Sequence, residues 1–333
     1  MISERKSSIL QCPVCKNDLS QQEPYLVCVS CHRRFPVIGG MVVFLTEDDL
    51  TGFLGETWGQ ELQNEGYGYF ASSEDKLDDL KKIIEEAQRN ANKSQWPLTA
   101  PGVSEEERRT VERSVWPFSA DSGLSEEAAR AIVKSLEEVV KLSRARSARR
   151  ILDWPTGPGG LLKCLINQVD PETLVIGLDV NLGALAKTKV YFDEYGFSAN
   201  MLFVVADARR MPFKDSVFQS VTAWGGTTEI ANPEAGWKET YRVLEKNGWF
   251  GISGDQYKDN SPSMELAEQS GIVSKTLTKD RLEATMRFIG FGNLEYEVLF
   301  EGYDIDLDTP DEERCPLPAR GDWYQHIAAS GQK

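Results

Sequence analysis

Histidine is almost missing from this chain, with only His32 and His326 among 333 residues. A general base inside the fold therefore falls to a carboxylate or a tyrosine. Long apolar runs are missing as well. No window reaches the ~18 apolar residues of a membrane-spanning helix, and the stretch from Met1 to Leu10 has no signal-peptide core, so a cytoplasmic protein with no membrane partner is expected. Basic residues are in deficit, with 37 Lys and Arg against 52 Asp and Glu and a net charge of -15. Such a surface repels a phosphate backbone, which makes nucleic acid a disfavoured partner. The dinucleotide fingerprint G-x-G-x-x-G is also absent.

What is present suffices for a sizeable core: 41% of residues are hydrophobic and 27% charged. The length suggests two domains, or one large domain with an appendage. Charge is uneven along the chain. Residues 1–45 carry +2, 46–130 carry -10, 131–294 balance, and 295–333 carry -7.

Four of the six cysteines lie in the first 31 residues, as Cys12-Pro-Val-Cys15 and Cys28-Val-Ser-Cys31, two C-x2-C pairs separated by 12 residues. Each pair can set two thiolates on one side of a tight turn, and together they supply the four sulfurs, at ~2.3 Å, of a closed structural zinc site. Two disulfides or four unrelated thiols are the alternatives. A reducing compartment argues against the first, and the regular spacing argues against the second. His32 is read as a surface residue, and neither Cys164 nor Cys315 is needed for the metal. Short strands bracket a turn at Gly39-Gly40, and so small a unit would draw its folding energy from the metal. The pattern from Cys12 through Pro36 and Gly40 to Leu45 resembles the zinc ribbons of small methyltransferase-activator proteins and of certain ribosomal-RNA guanine methyltransferases.

The middle of the chain alternates helical periodicity with loops. Leu77, Leu80, Ile84 and Ala87 recur at helical spacing, and Ser104-Glu-Glu-Glu107 has the form of a capping box. Trp58, Tyr67, Tyr69, Phe70, Trp96, Trp116 and Phe118 lie between and around them. Such aromatics either pack on the neighbouring domain or form a lid over a pocket. A longer helix starts at the N-cap candidate Ser125 and ends in the basic run Arg144 to Arg150.

From Arg150 onward, β-rich runs alternate with helical patterns, as in a doubly wound parallel sheet. Strands are expected over 151–154, 174–179, 202–207, 217–224, 249–253 and 294–300, and a seventh is not obvious. Helices are expected over 161–168, from Asn232-Pro233 to before Gly248, and from Thr278 to Ile289 with a stop at Gly290. Ligands of such sheets bind beyond the carboxyl ends of the strands. Those ends carry Asp153, the loop with Gly157 and Gly159, Asp179 and Asp207. The bare glycines would let a ligand lie against backbone, Asp179 is set to accept from both ribose hydroxyls, and Asp207 can meet an adenine amino group.

These motifs, Ile151-Leu-Asp-Trp-Pro-Thr-Gly-Pro-Gly-Gly160, Val175-Ile-Gly-Leu-Asp179 and Val205-Ala-Asp207-Ala-Arg-Arg-Met-Pro212, resemble the cofactor motifs of class I S-adenosylmethionine-dependent methyltransferases over roughly residues 150–300. The resemblance implies a Rossmann-like α/β fold. It also implies S-adenosylmethionine as cofactor, with Gly157 and Gly159 at its methionine end, Asp179 on the ribose, and Asp207 with Ala208 facing the adenine. Asp153 and Trp224 join the cofactor-binding set. Pro155 departs from the family, standing where a first loop glycine is usual; a positive φ there would weaken cofactor binding, whereas a tight turn alone would not. Acceptors in this family sit after the fourth strand, here Trp224 to Glu229, and a lid over residues 50–120 would cover a pocket at the carboxyl ends of the fourth and fifth strands, near Trp224, Glu229 and Asp255. Glu229 is the candidate catalytic base, or else caps the next helix or shapes the pocket. No Asn-Pro-Pro-Tyr run follows that strand, which lowers nucleobase and glutamine nitrogens as acceptors.

The expected organisation is a zinc ribbon (1–45), a helical, aromatic-rich linker or lid (46–145), a methyltransferase domain (146–303) and an acidic C-terminal tail (304–333). The expected function is methyl transfer to a small molecule or peptide. The alternatives are an RNA methyltransferase that uses the ribbon for RNA contact, and a noncatalytic partner-binding protein on the same fold. Oligomeric state is not legible in the sequence.

Overall fold

The computed structural model describes residues 2–45, 77–89, 126–194, 196–227, 230, 232–269, 277–305 and 317–333. The first unit opens with a short helix, α1 (Glu4–Ser7), followed by the antiparallel strands β1 (Leu19–Gln22), β2 (Tyr25–Cys28), β3 (Arg34–Ile38) and β4 (Met41–Val43). Helices α2 (Leu77–Arg89) and α3 (Glu126–Leu142) come next. The alternating region then runs β5 (Arg150–Asp153), α4 (Gly160–Ile166), β6 (Leu174–Asp179), α5 (Leu182–Glu194), β7 (Met201–Val205), β8 (Phe218–Trp224), α6 (Pro233–Val243) and β9 (Leu244–Tyr257). Two helices, α7 (Pro262–Gln269) and α8 (Lys279–Ile289), precede the closing pair β10 (Gly292–Tyr303) and β11 (Trp323–Gln332).

These strands form one sheet of 11, in the order β1-β2-β3-β4-β7-β6-β5-β8-β9-β11-β10. Pairing is parallel from β4 through β9 and antiparallel on both flanks. The chain winds outward from β5 in both directions, so the ligand crevice of such a sheet falls at the carboxyl ends of β5, β6 and β8. Its central strands are apolar on both faces, as parallel strands between two helical layers must be. Ile151, Val175, Phe203 and Val205 pack under α2 to α5 with Leu80, Ile84, Leu136, Val139, Leu162 and Leu185. Their neighbours Leu152, Ile176 and Val204 face Trp237 of α6, and Leu282 and Met286 of α8.

Two boundaries differ from expectation. The ribbon is continuous with the main sheet, because β4 pairs in parallel with β7 (Met41 with Phe203, Val43 with Val205), and Phe44 N–H donates to Val205 O at 2.8 Å. Cys12, Cys28, Leu26 and Phe35 share one apolar cluster with Val204 and Phe213. The region expected as an acidic tail carries the seventh strand of the alternating region: β11 inserts between β9 and β10, registering Ile327 against Gly254 and Val298. Its run Ile327-Ala-Ala-Ser330 is buried and low in branched or aromatic residues, so neither alternation nor β-propensity marks it.

Local signals elsewhere hold. Helix α6 starts with Asn232 at φ +58 and a first-turn proline. Thr278 Oγ1 caps α8 by accepting from Arg281 N–H, and Gly290 closes it at φ +119. Of the expected lid, α2 is described, with Leu80 and Ile84 buried in the core; its seven aromatics and the Ser104 capping box lie outside the described residues.

Candidate functional site

Asp153 ends β5 and Asp179 ends β6, while Asp207 follows β7, so the parallel ladder brings three acids to one edge. Asp153 is 1% exposed, and its Oδ1 accepts from Thr222 Oγ1 of β8 at 2.9 Å. Burial lifts its carboxyl to about 7, helped by the charge of Asp179 and opposed by hydrogen bonds from Thr222 and Thr156. Burial raises Asp179 too, against the backbone N–H groups of Asn181 and Gly157. Those groups reach its Oδ1 at 2.8 Å and its Oδ2 at 2.7 Å respectively. The carboxylate thus fastens the glycine loop and keeps lone pairs for a ligand's hydroxyls.

The loop gives its glycines separate tasks. The left-handed positions are Gly157 at φ +48 and Gly159 at φ +77, whereas Pro155 is not among the positive-φ residues. The proline therefore occupies a position where the turn demands no glycine. A Cβ on Gly157 would meet nothing within 4 Å, which leaves that backbone open to a ligand. A Cβ on Gly159 would lie 2.5 Å from Thr188 Cγ2, so this glycine serves contact between the start of α4 and α5 rather than ligand approach. Opposite the loop, a Cβ on Gly226 would lie 2.7 Å from Pro155 Cγ, which fixes the turn after β8 against the glycine loop.

Other expected positions have local commitments. Asp207 heads a 3-10 turn over Ala208–Arg210, and its oxygens accept from Arg209 N–H at 2.8 Å, Nε at 2.9 and 3.0 Å, and Nη2 at 2.6 Å. Ala208 is buried beside it. Trp224 Nε1 donates to Ser135 Oγ at 2.7 Å, making the indole a strut between β8 and α3. Glu229, the candidate base, lies outside the described residues.

A group that the sequence did not reveal stands at the end of β9. His326 of β11 registers opposite Asp255; its Nδ1 lies 2.6 Å from Asp255 Oδ1, and its Nε2 lies 3.0 Å from Ser253 Oγ. Ser253 is 1% exposed and His326 7%, while about a third of the Asp255 side chain (35%) remains open. Ser253 O also accepts from Gly225 N–H at 3.1 Å, tying this group to the turn that packs on Pro155. His326 stood in a segment read as tail, and only the strand pairing reveals its partners.

In the ribbon, the four Sγ atoms of Cys12, Cys15, Cys28 and Cys31 lie within 4.8 Å of one another, with Cys12 to Cys31 at 3.7 Å and Cys15 to Cys28 at 3.3 Å. Tetrahedral Zn–S bonds of ~2.3 Å imply S···S edges of ~3.8 Å, so the donor set fits zinc. All four are free thiols, as is Cys164, no disulfide forms among the described residues, and His32 is exposed. Gln11 fastens the ribbon to the sheet domain, its N–H donating to Pro212 O at 2.9 Å and its Nε2 to Phe213 O at 2.7 Å.

Fold and site together define a class I methyltransferase-type α/β domain with a cysteine ribbon built onto its sheet. Comparison with known proteins agrees. Residues 151–248 match the family model described as "Methyltransferase domain", and residues 6–40 match the one for Trm112p-like proteins. A ubiquinone/menaquinone biosynthesis C-methyltransferase UbiE from Pseudomonas savastanoi pv. phaseolicola is 33% identical over 109 residues, covering 33% of this chain and 43% of the relative. The UbiE of Pseudomonas aeruginosa strain LESB58 is 32% identical over the same length and shares. The chain thus spans under half the length of these curated relatives. A Galdieria sulphuraria protein provisionally described as a sarcosine dimethylglycine methyltransferase shares the fold at TM-score 0.50 and 13% identity, over 62% of this chain and 87% of its own. This chain carries a class I methyltransferase domain behind a Trm112p-like ribbon.

Proposed function

We propose that the chain transfers the methyl group of S-adenosylmethionine to a small-molecule acceptor held over the carboxyl ends of β8 and β9. The observation that carries this reading is the open backbone of Gly157 beside the Asp179 carboxylate, within the segment that matches the methyltransferase model. In this reading Asp179 accepts from the ribose hydroxyls, Gly157 borders the methionine end, and Asp153 holds the loop through Thr156 and Thr222. Asp207 and Ala208 flank the adenine, with Arg209 fixing the carboxylate's direction. The cofactor supplies a methyl group on an already activated sulfonium, so alignment and exclusion of water account for much of the rate. A small acceptor accords with the net charge of -15 and with the UbiE relatives, whose name specifies C-methylation in quinone biosynthesis. The ribbon holds one structural zinc and lengthens the sheet, in a cytoplasmic protein whose thiols stay reduced.

Calorimetry with S-adenosylmethionine tests the cofactor site. Asp179→Ala is expected to weaken binding by about 1.5–3 kcal/mol, the scale of hydrogen bonds to a charged acceptor. Unchanged affinity in a folded variant would remove Asp179 from the ribose role. Mass spectrometry of products formed with isotopically labelled cofactor and a metabolite pool identifies the acceptor.

A further inference from the structure

The group at the end of β9 is built as a relay with one open end. Ser253 and Asp255 are two residues apart on one strand and so share a face, which α3 helps to cover. His326 enters that face from β11, with one ring nitrogen on each partner, at 2.6 Å to Asp255 Oδ1 and 3.0 Å to Ser253 Oγ. The buried serine sits in mid-strand, which argues against a nucleophile. The accessible end is Asp255, 35% open at its side chain and two residues beyond Ser253, whose carbonyl holds the turn that packs on Pro155 of the glycine loop. Carboxylate, imidazole and hydroxyl in a row make a base whose direction is fixed and whose gained charge is shared.

We propose that Asp255, positioned by His326 and Ser253, is the residue that takes the acceptor's proton during methyl transfer, and that the acceptors are small molecules with an acidic hydroxyl, of the phenol or enol type. The inference rests on the methyl-transfer reading above. A neutral amine or thioether already has a lone pair free to attack the methyl carbon. A hydroxyl compound is a poor nucleophile until its O–H bond breaks, which is the step a held carboxylate assists. In the balanced step the acceptor's O–H breaks and its proton goes to Asp255. The freed electron pair forms the bond to the methyl carbon, at oxygen or at the conjugated carbon. The methyl–sulfur bond breaks, S-adenosylhomocysteine leaves neutral, and the proton passes later to water. His326 and Ser253 touch no acceptor and are positioning residues.

The test uses the full chain with zinc bound and labelled S-adenosylmethionine. Catechol, hydroquinone and acetylacetone serve as proton-bearing probes, and pyridine and dimethyl sulfide, both uncharged near neutral pH, as probes with no proton to lose. Products are expected from the first group only. Asp255→Asn should lower kcat on them about 100-fold, within the range for general-base loss, and His326→Gln about tenfold. KM and S-adenosylhomocysteine affinity should stay within about twofold, and Asp255→Glu should recover part of the rate. The retained affinity also reports that each variant is folded. With two histidines in the chain, the 15N imidazole spectrum gives a second readout, in which His326 should shift on adding catechol to the S-adenosylhomocysteine complex and His32 should not. Unchanged kcat in Asp255→Asn, equal turnover of pyridine, or no product from any hydroxyl probe by a chain that binds S-adenosylhomocysteine would each overturn the proposal. Failure of the unaltered chain to bind that compound at all would instead count against the methyl-transfer reading.

Discussion

Single residues at the crevice answer to different pressures, and substitutions can separate them. Asp153 has a folded-state carboxyl at about 7 against an ordinary value of 3.8, so between these limits the folded chain keeps a proton that the unfolded chain has released. Stability contributed by that proton is complete below about pH 4 and is lost as the pH rises to about 7. Asp153→Asn cannot ionise, so its melting temperature relative to the unaltered chain should climb across that window and level off above it. Thermal melts from pH 4.5 to 8.5 measure this, and a flat difference would mean that the buried carboxyl is ionised throughout. The glycines form a second contrast. Gly157→Ala should pay only the left-handed backbone cost, about 1 kcal/mol, and lose cofactor affinity. Gly159→Ala should cost more, because its methyl group would lie 2.5 Å from Thr188 Cγ2. Adding Thr188→Ser should recover the steric part and leave the backbone part, a difference that urea unfolding of the double variant resolves. The acids and glycines were legible because sequence spacing fixes which residues end strands. The division of labour between the glycines was not, since Thr188 is far along the chain and meets Gly159 only when α5 packs.

At the scale of elements, the ribbon solves a problem of the sheet. Strand β7 would otherwise be an edge with unpaired backbone groups, a template for association with other chains. Strand β4 covers it, and β4 is held in turn by β3 and by the apolar cluster that Val42 and Phe44 share with Cys12 and Cys28. The cysteine spacing announced the four-thiol cluster in the sequence. Nothing local announced where β4 would dock, because a parallel pairing between residues 41–43 and 203–205 is a contact of the folded chain. If zinc supplies the ribbon's folding energy, its removal should be felt on β7. Metal analysis should return one zinc per chain, and a Cys12→Ser, Cys28→Ser double variant should lose it. Amide exchange along Met201–Val205 should then accelerate while β5 and β8 stay protected. Protection of β7 that survives complete loss of metal would show that the apolar contacts of Leu26, Phe35 and Phe44 hold the ribbon without it.

For the whole molecule the decisive element is β11. Most of the parallel sheet could be read from hydrophobic runs ending in acids, but the antiparallel closure could not, because β11 is made of small residues where the layers press closest. A Cβ on Gly331 would lie 2.6 Å from Phe250 Cε1 and 2.7 Å from Leu294 Cδ2, and Ala328 and Ala329 are buried beside it. Small side chains are thus a packing requirement of a strand covered on both faces, and they erase the pattern by which strands are recognised. The same strand brings His326 to Asp255, so the fold's closure and the proposed proton relay depend on one insertion. Gly331→Val separates the two, since Gly331 lies five positions from His326 and against the opposite helical layer through Phe250. Overpacking there should cost about 1–3 kcal/mol, read as a lower urea midpoint at unchanged slope, while S-adenosylhomocysteine affinity persists below the transition. Removing residues 317–333 should be of another order. It would strip β9 and β10 of the strand between them and remove the contacts of Ile327, Tyr324 and the Lys333 ammonium, which donates to Leu244 O at 2.6 Å. Urea unfolding of that truncated chain should show no cooperative transition. A cooperative transition at the midpoint of the intact chain would mean that the sheet closes without β11, and the relay built on His326 would fall with it.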